Sequence, residues 1–287
     1  MFNRVAIRQS TLIKHTTGAS RAVRGQCRWQ ATVASDVTPG GIPITQTNRA
    51  ETGMKKFWKE ANLAEDESSF TVQLDKRALK TPSGNAVKLP RTKRLAATLV
   101  AQEWENQETL LKTHTLPMTS LVARAIDGLS TEKERAHVRE ALMKYLQTDT
   151  ICFHEDKPPA LVRLQAKHWD PILESLRKEF NVDIKVHKDL FASGQDKKTE
   201  AALLDRISAF DQWQLAAFER SVYATKSFLI SLALMMQRLS VEEASTIANV
   251  EVLSQIETWG MVEDTHDVDE CDIRRQLGSA SCLLVDT

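Results

Sequence analysis

The sequence predicts an α+β protein, with a small antiparallel β-rich N-terminal domain followed by a larger all-helical C-terminal domain. Three observations carry this. Phe70, Val72 and Leu74 alternate with Thr71 and Gln73, the period of a half-buried strand. Two turn-forming clusters, Asp75-Lys76-Arg77 and Pro82-Ser83-Gly84-Asn85, then divide the following residues into further short strands at 78–81 and 86–89. From residue 92 onward the apolar spacing becomes helical.

Residues 1–35 hold Arg4, Arg8, Lys14, Arg21, Arg24 and Arg28 but no Asp or Glu, and Phe2, Val5, Ala6, Leu12 and Ile13 fall near one helical face. Such an acid-free start, rich in Arg, Ser and Thr, reads as a mitochondrial transit peptide, with a disordered basic tail as the alternative. Residues 36–56 read as a linker, broken by Pro39, Gly40, Gly41 and Pro43. The β-rich domain then spans 57–110 and the helical domain 111–287.

Within the helical part, Leu95, Leu99, Val100 and Trp104 mark one stripe of a helix over 92–110. A short helix covers 119–127, and Thr131 with Glu134 forms a capping box for one over 131–147. Asp149–Phe153 reads as an extended connector. Residues 158–180 are helical, with either a kink at Pro171 or a restart there with Asp170 as the N-cap. Val182–Val186 alternates like a short strand. Helices at 197–217, 219–239 and 241–258 follow, the last capped by Ser240 and Glu243, and the tail from Gly260 to about Leu277 starts acidic and then forms one more helix.

Several function classes are excluded by composition and motif. The formal net charge is +0, and removing the six bases of residues 1–35 leaves six more acids than bases. An acidic body does not suit a phosphate backbone, so no nucleic-acid partner is expected. The apolar run Phe228–Met236, bracketed by Lys226 and Arg238, is about half the ~20 residues a membrane span needs. No Gly-rich phosphate loop, HExxH or GxSxG pattern occurs, so no cofactor and no catalytic residue is assigned. Cys152, Cys271 and Cys282 show no CxxC spacing, and no metal site is expected.

Four features could still carry chemistry. Cys152 and His154 could be a nucleophile and its base, or a packed thiol and a surface imidazole. His266 and Cys271 lack companions at zinc spacing. Glu263, Asp264, Asp267, Asp269, Glu270 and Asp272 form an acidic cluster without the EF-hand pattern, either a solvated helix face or a docking patch. On the expected 241–258 helix, Glu251 and Gln255 fall at the azimuth of Ala244, Ile247, Ala248 and Trp259. A carboxylate on an apolar stripe implies an internal ion pair or a surface that meets another protein.

Several segments taken in order resemble the mitochondrial assembly chaperones of the F1-ATP synthase alpha subunit. They are Phe57-Trp-Lys59, Val72-Gln-Leu-Asp75, Leu79-Lys-Thr-Pro82, Glu103-Trp-Glu-Asn-Gln107, Asp149-Thr-Ile-Cys152, Trp169-Asp-Pro171 and Gln255-Ile-Glu-Thr-Trp-Gly260. The resemblance runs from about residue 57 to the C-terminus. It implies a non-enzymatic protein of the mitochondrial matrix, a monomer when free. Such a chaperone binds the free alpha subunit, keeps its apolar interface from aggregating and hands it to the beta subunit. With the acidic tail, it points to Glu251, Gln255, Trp259, Asp264 and Asp267 as partner-binding residues. Trp58, Trp104, Asp149, Trp169 and Pro171 are expected to be structural. Two other classes stay open at this level: a permanent structural subunit of a matrix complex, and a small-molecule hydrolase using carboxylates around Glu251 and Asp264.

Overall fold

The computed structural model describes residues 54–189 and 194–287. The expected transit peptide and most of the linker lie outside the described residues. The three linker residues that are described, Met54–Lys56, pair antiparallel with 109–111, through Lys56 N–H to the Thr109 carbonyl (3.0 Å) and Leu111 N–H to the Met54 carbonyl (2.9 Å).

The sheet is four-stranded and antiparallel. It comprises β1 (Ala61–Glu65), β2 (Ser69–Leu74), β3 (Arg77–Ala78) and β4 (Lys88–Pro90), and β2 pairs with each of the others. The alternation read from the sequence is that of β2: Phe70, Val72 and Leu74 are buried. At the β2–β3 turn Asp75 takes φ +52°, and its carboxylate accepts the Lys59 and Glu60 N–H groups at 2.9 and 3.1 Å. Those two bonds outweigh the burial that opposes them and hold its pKa below the usual carboxylate range. The sequence did not announce β1, because Ala-Asn-Leu-Ala-Glu lacks β-branched and aromatic residues; the ladder with β2 makes it a strand.

The helices are α1 (Arg94–Glu105), α2 (Pro117–Gly128), α3 (Glu132–Gln147), α4 (Pro159–His168), α5 (Asp170–Phe180), α6 (Lys197–Ser208), α7 (Gln212–Thr225), α8 (Phe228–Met235), α9 (Val241–Ala248), α10 (Val250–Trp259) and α11 (His266–Leu284). The capping boxes at Thr131/Glu134 and Ser240/Glu243 form as expected, and Asp211/Gln214 adds a third. Where the structure departs from the sequence reading, side chains and tertiary contacts explain most of the differences. Residues 150–152 form a 3-10 turn instead of an extended connector, because the Asp149 carboxylate accepts the Ile151 N–H at 3.2 Å. At the α4–α5 restart the N-cap is Trp169, and Asp170 is already helical. Val182–Val186 is not a strand. The Arg177 guanidinium donates to the Ile184 carbonyl at 3.0 Å, and Gln195 Oε1 accepts the Lys185 N–H at 2.8 Å, so side chains serve backbone groups that a neighbouring strand would otherwise serve. The helices expected at 197–217 and 219–239 divide elsewhere, because Asp211 caps α7 and Ser227 caps α8.

The helix expected over 241–258 breaks at Asn249. The fully buried Trp169 indole donates to the Ile247 carbonyl at 3.0 Å, the acceptor that an uninterrupted helix would offer to the Glu251 N–H. Glu251 and Ala244 therefore belong to different helices and do not share a stripe.

One hydrophobic core runs from Trp58 to Leu283. Helix α8 is buried on all sides, as its uninterrupted apolar sequence requires. Helix α11 packs against α7, α2 and α9. Its C-terminal end is tied to the start of α1, by Lys93 to Asp286 (2.8 Å) and by the Thr287 N–H to the Thr92 carbonyl (2.9 Å). No described helix is long and apolar enough to cross a membrane.

Candidate partner-binding surface

The segment Glu103–Gln107 is a joint. Helix α2 begins without a side-chain cap of its own, and the Glu103 carboxylate supplies one from α1, accepting the N–H groups of Met118 (2.6 Å) and Thr119 (2.8 Å) and the Thr119 hydroxyl (2.7 Å). Burial pushes the Glu103 pKa up while these bonds pull it down, and burial is the larger effect. The Trp104 indole donates to the Thr119 hydroxyl at 3.0 Å, and the Trp58 indole donates to the Trp104 carbonyl at 3.2 Å. Glu105 accepts the Ala61 N–H of β1 at 2.7 Å. Gln107 accepts the Lys112 N–H and donates to Thr115, which bends the chain after α1 five residues before the expected helix end.

Asp149 is a second joint. It is fully buried, accepts the Leu229 N–H of α8 at 2.9 Å, and caps its own 3-10 turn. Burial raises its pKa to about 6. Trp169 ties α5 to the end of α9 as described. Pro171 is the second residue of α5 and is exposed. Cys152 and His154 do not form a dyad. The Cys152 sulfur faces Gln195 (3.6 Å), while His154 Nε2 lies 3.2 Å from the Ile151 carbonyl. Burial pushes the thiol up, away from thiolate reactivity, and pushes the imidazole down.

The α10–α11 end is built differently. Helix α10 buries only Val250 and Ser254, and the Glu257–Arg163 pair (2.5 Å) ties it to α4. It ends at Trp259, which is 80% exposed, followed by Gly260 at φ +87°. Met261, Val262 and Val268 are each more than half exposed beside it in sequence. From Leu239 to Ile273 the chain has ten Asp and Glu and no Lys or Arg. Glu251 and Gln255 are exposed on α10, Asp264 sits in the turn at φ +59°, and Asp267 is exposed in the first turn of α11. The side chains of Glu251, Gln255, Trp259, Asp264 and Asp267 make no hydrogen bond or ion pair with any described residue. Asp267 and Asp269 also suit the positive end of the α11 dipole. Beside this surface a concavity of about 370 Å³ opens between the end of α7, α9–α10 and α11, with Leu253, Ile256 and Ile273 among its apolar lining.

The internal ion pair considered for Glu251 does not form among the described residues, where the side chain is exposed and unpartnered. Among the described residues the hydrolase arrangement is absent too: neither Glu251 nor Asp264 lines the concavity, and of the three acids that do, Glu270 is paired with Arg274 and Asp272 with Arg275, which leaves Asp269 without a second free carboxylate beside it there. Among the described residues no group of three His, Cys, Asp or Glu is arranged to hold a metal ion. Sequence reasoning passed over Met261, Val262 and Val268; apolar residues interrupting an acidic run were the available signal.

A family model described as the ATP12 chaperone protein matches residues 55–177. The mitochondrial protein atp12 of Schizosaccharomyces pombe is 34% identical over 254 residues, covering 86% of this chain and 86% of that protein. The chain belongs to the ATP12 chaperone family. Protein ATP12 of Saccharomyces cerevisiae, also named as mitochondrial, is 31% identical over 279 residues, covering 83% of this chain and 86% of that one. The crystal structure of Atp12 from Paracoccus denitrificans shares the fold, with a TM-score of 0.70 at 23% identity over 80% of this chain and 97% of that one. A putative chaperone from Agrobacterium tumefaciens reaches a TM-score of 0.72 at 27% identity, over 80% of this chain and 85% of that one. The ATP12 family is thus described by chaperone activity, not by catalysis, and its named fungal members are mitochondrial.

Proposed function

We propose that this ATP12-family chain is a matrix chaperone of ATP synthase assembly. In this reading it holds the unassembled F1 alpha subunit, as a monomer, and releases it to the beta subunit. The observation that supports the reading best is Trp259. A tryptophan 80% exposed at a helix end, next to exposed Met261 and Val262, takes no part in the described hydrophobic core. It has the form of an interface anchor, the residue type that most often dominates binding energy. The unpartnered carboxylates around it would steer a client of opposite charge and set its register. Displacement by beta needs no nucleotide if beta covers the same client surface more extensively.

The test is suppression of alpha aggregation, followed by light scattering with the purified chain at equimolar ratio. Wild type is expected to keep alpha soluble, and added beta to release it. Trp259→Ala is expected to weaken capture at least tenfold, about 1.4 kcal/mol. A Trp259→Ala protein that protects alpha as well as wild type defeats the assignment of this surface. Failure of the wild type to capture alpha at all defeats the choice of client.

A further inference from the structure

The β-rich end of the chain carries the opposite charge to α9–α11. Residues 54–94 contain ten Lys and Arg against five Asp and Glu. A groove of about 840 Å³ lies there, lined by the 80–82 loop and one face of α2. A second lobe of about 610 Å³, lined by Phe57 and Leu79, shares Met54, Lys80 and Trp104 with the first. Phe57 is 71% exposed and meets Trp58 edge-on at 5.1 Å, and Trp58 in turn contacts Trp104 at 5.0 Å. Lys55, Arg77 and Lys80 line the second lobe, and no carboxylate does. None of these three cations makes an ion pair with a described residue.

The walls are fixed in advance. The Asp127 carboxylate accepts the Thr81 hydroxyl (2.7 Å), the Asn85 amide (2.8 Å) and the Ser83 N–H (3.1 Å), holding the 81–85 loop on α2. The indoles of Trp58 and Trp104 are both hydrogen-bonded into the joint described above. A preformed apolar groove with a few convergent charges is the usual form of a binding site.

We propose that this groove binds an extended peptide segment of a partner protein in which apolar side chains stand next to carboxylates. Two apolar lobes that share the Trp104 indole suit apolar side chains from two places on one segment. The acid in the first lobe, Asp127, is taken up by the 81–85 loop, and the second lobe offers three cations without an ion pair to a described residue and no carboxylate in its lining, which suits carboxylates between those side chains. The site is separate from the α10–α11 surface and does not depend on the identity of the client proposed above.

The test uses the purified chain and two fluorescein-labelled peptides of about twelve residues. In one, Phe and Leu alternate with Asp and Glu; in the other, Lys replaces each acid. Fluorescence anisotropy is expected to show the acidic peptide bound at least tenfold more tightly. The double variant Arg77→Glu/Lys80→Glu is expected to reverse that order, and Lys55→Glu to shift it in the same direction in a second background. Trp259→Ala is expected to leave both affinities unchanged. Equal binding of the two peptides, or an order unaffected by charge reversal, overturns the proposal. So does loss of binding in Trp259→Ala, which would place the peptide on the other surface. Displacement of the peptide by decanoate at matched concentration would assign the groove to an anionic amphiphile instead. A molar mass that doubles with concentration and is restored by Phe57→Ser would assign it to a second copy of the chain.

Discussion

In Glu103–Gln107 every side chain makes a hydrogen bond within the chain; in Gln255–Trp259 two of the most prominent, Gln255 and Trp259, make none. Both segments combine Trp, Glu and Gln, and as strings they look alike. The first stitches β1, α1 and α2 together. The second ends a helix that is packed mainly on one face, with its tryptophan in water. Residue type therefore does not separate the bonded joint from the unpartnered surface here. The separation lies in whether the polar atoms already have partners within the chain, because a group bonded inside the fold is committed to it, whereas an exposed group bonded only to water can exchange that water for a partner.

The largest effect should come from breaking the joint. Trp104→Arg removes an indole half-buried between Trp58 and Thr119 and places a charge there, and is expected to cost about 3–5 kcal/mol, enough to leave little soluble protein. A soluble variant with wild-type melting temperature would show that Glu103–Gln107 is not the scaffold described. Asp149→Ala strands two backbone N–H groups in the core and is expected to cost about 2–4 kcal/mol in urea unfolding.

Asp149 also gives a pH test with a definite sign. Its folded pKa, about 6, lies above its ordinary value of 3.8. The stability it contributes is fully present below about pH 3.8 and is lost as pH rises through 6. Exposed carboxylates with lowered pKa values, such as Asp75 and Glu243, work in the opposite direction. The difference between wild type and Asp149→Asn isolates the buried group. Relative to that variant, wild type is expected to lose stability from pH 4 to pH 7, and a constant difference across that range would contradict the assignment.

Smaller effects sharpen the contrast. Glu103→Gln keeps one acceptor for the α2 amides but loses the charge, and is expected to cost about 1 kcal/mol. At the other end, Glu251→Lys is expected to change stability by less than about 0.5 kcal/mol, because the side chain is exposed and unpartnered. It should nevertheless weaken client capture severalfold by charge reversal. A melt and an aggregation assay on the same sample decide it: a strongly destabilised Glu251→Lys protein would put the residue with Glu103 rather than with Trp259.

Much of this molecule follows from local rules that operate on a few neighbouring residues. The alternation of β2, the turns after it and the capping boxes at Thr131 and Ser240 are each decided within about four residues, so the sequence alone determined them. It also determined the family, through short segments read in order, and the acidic character of 239–273. Tertiary structure decided the rest, wherever a distant group takes a local acceptor or donor. Trp169 takes the Ile247 carbonyl and divides the expected 241–258 helix, which moves Glu251 off the stripe of Ala244 and into solvent. β2 makes a strand of Ala61–Glu65, and Glu103 caps a helix that begins twelve residues beyond its own. Which tryptophans are joints and which is left in water could be settled only by these long-range partners. Burial and hydrogen-bond satisfaction belong to the folded arrangement and not to any window of the chain.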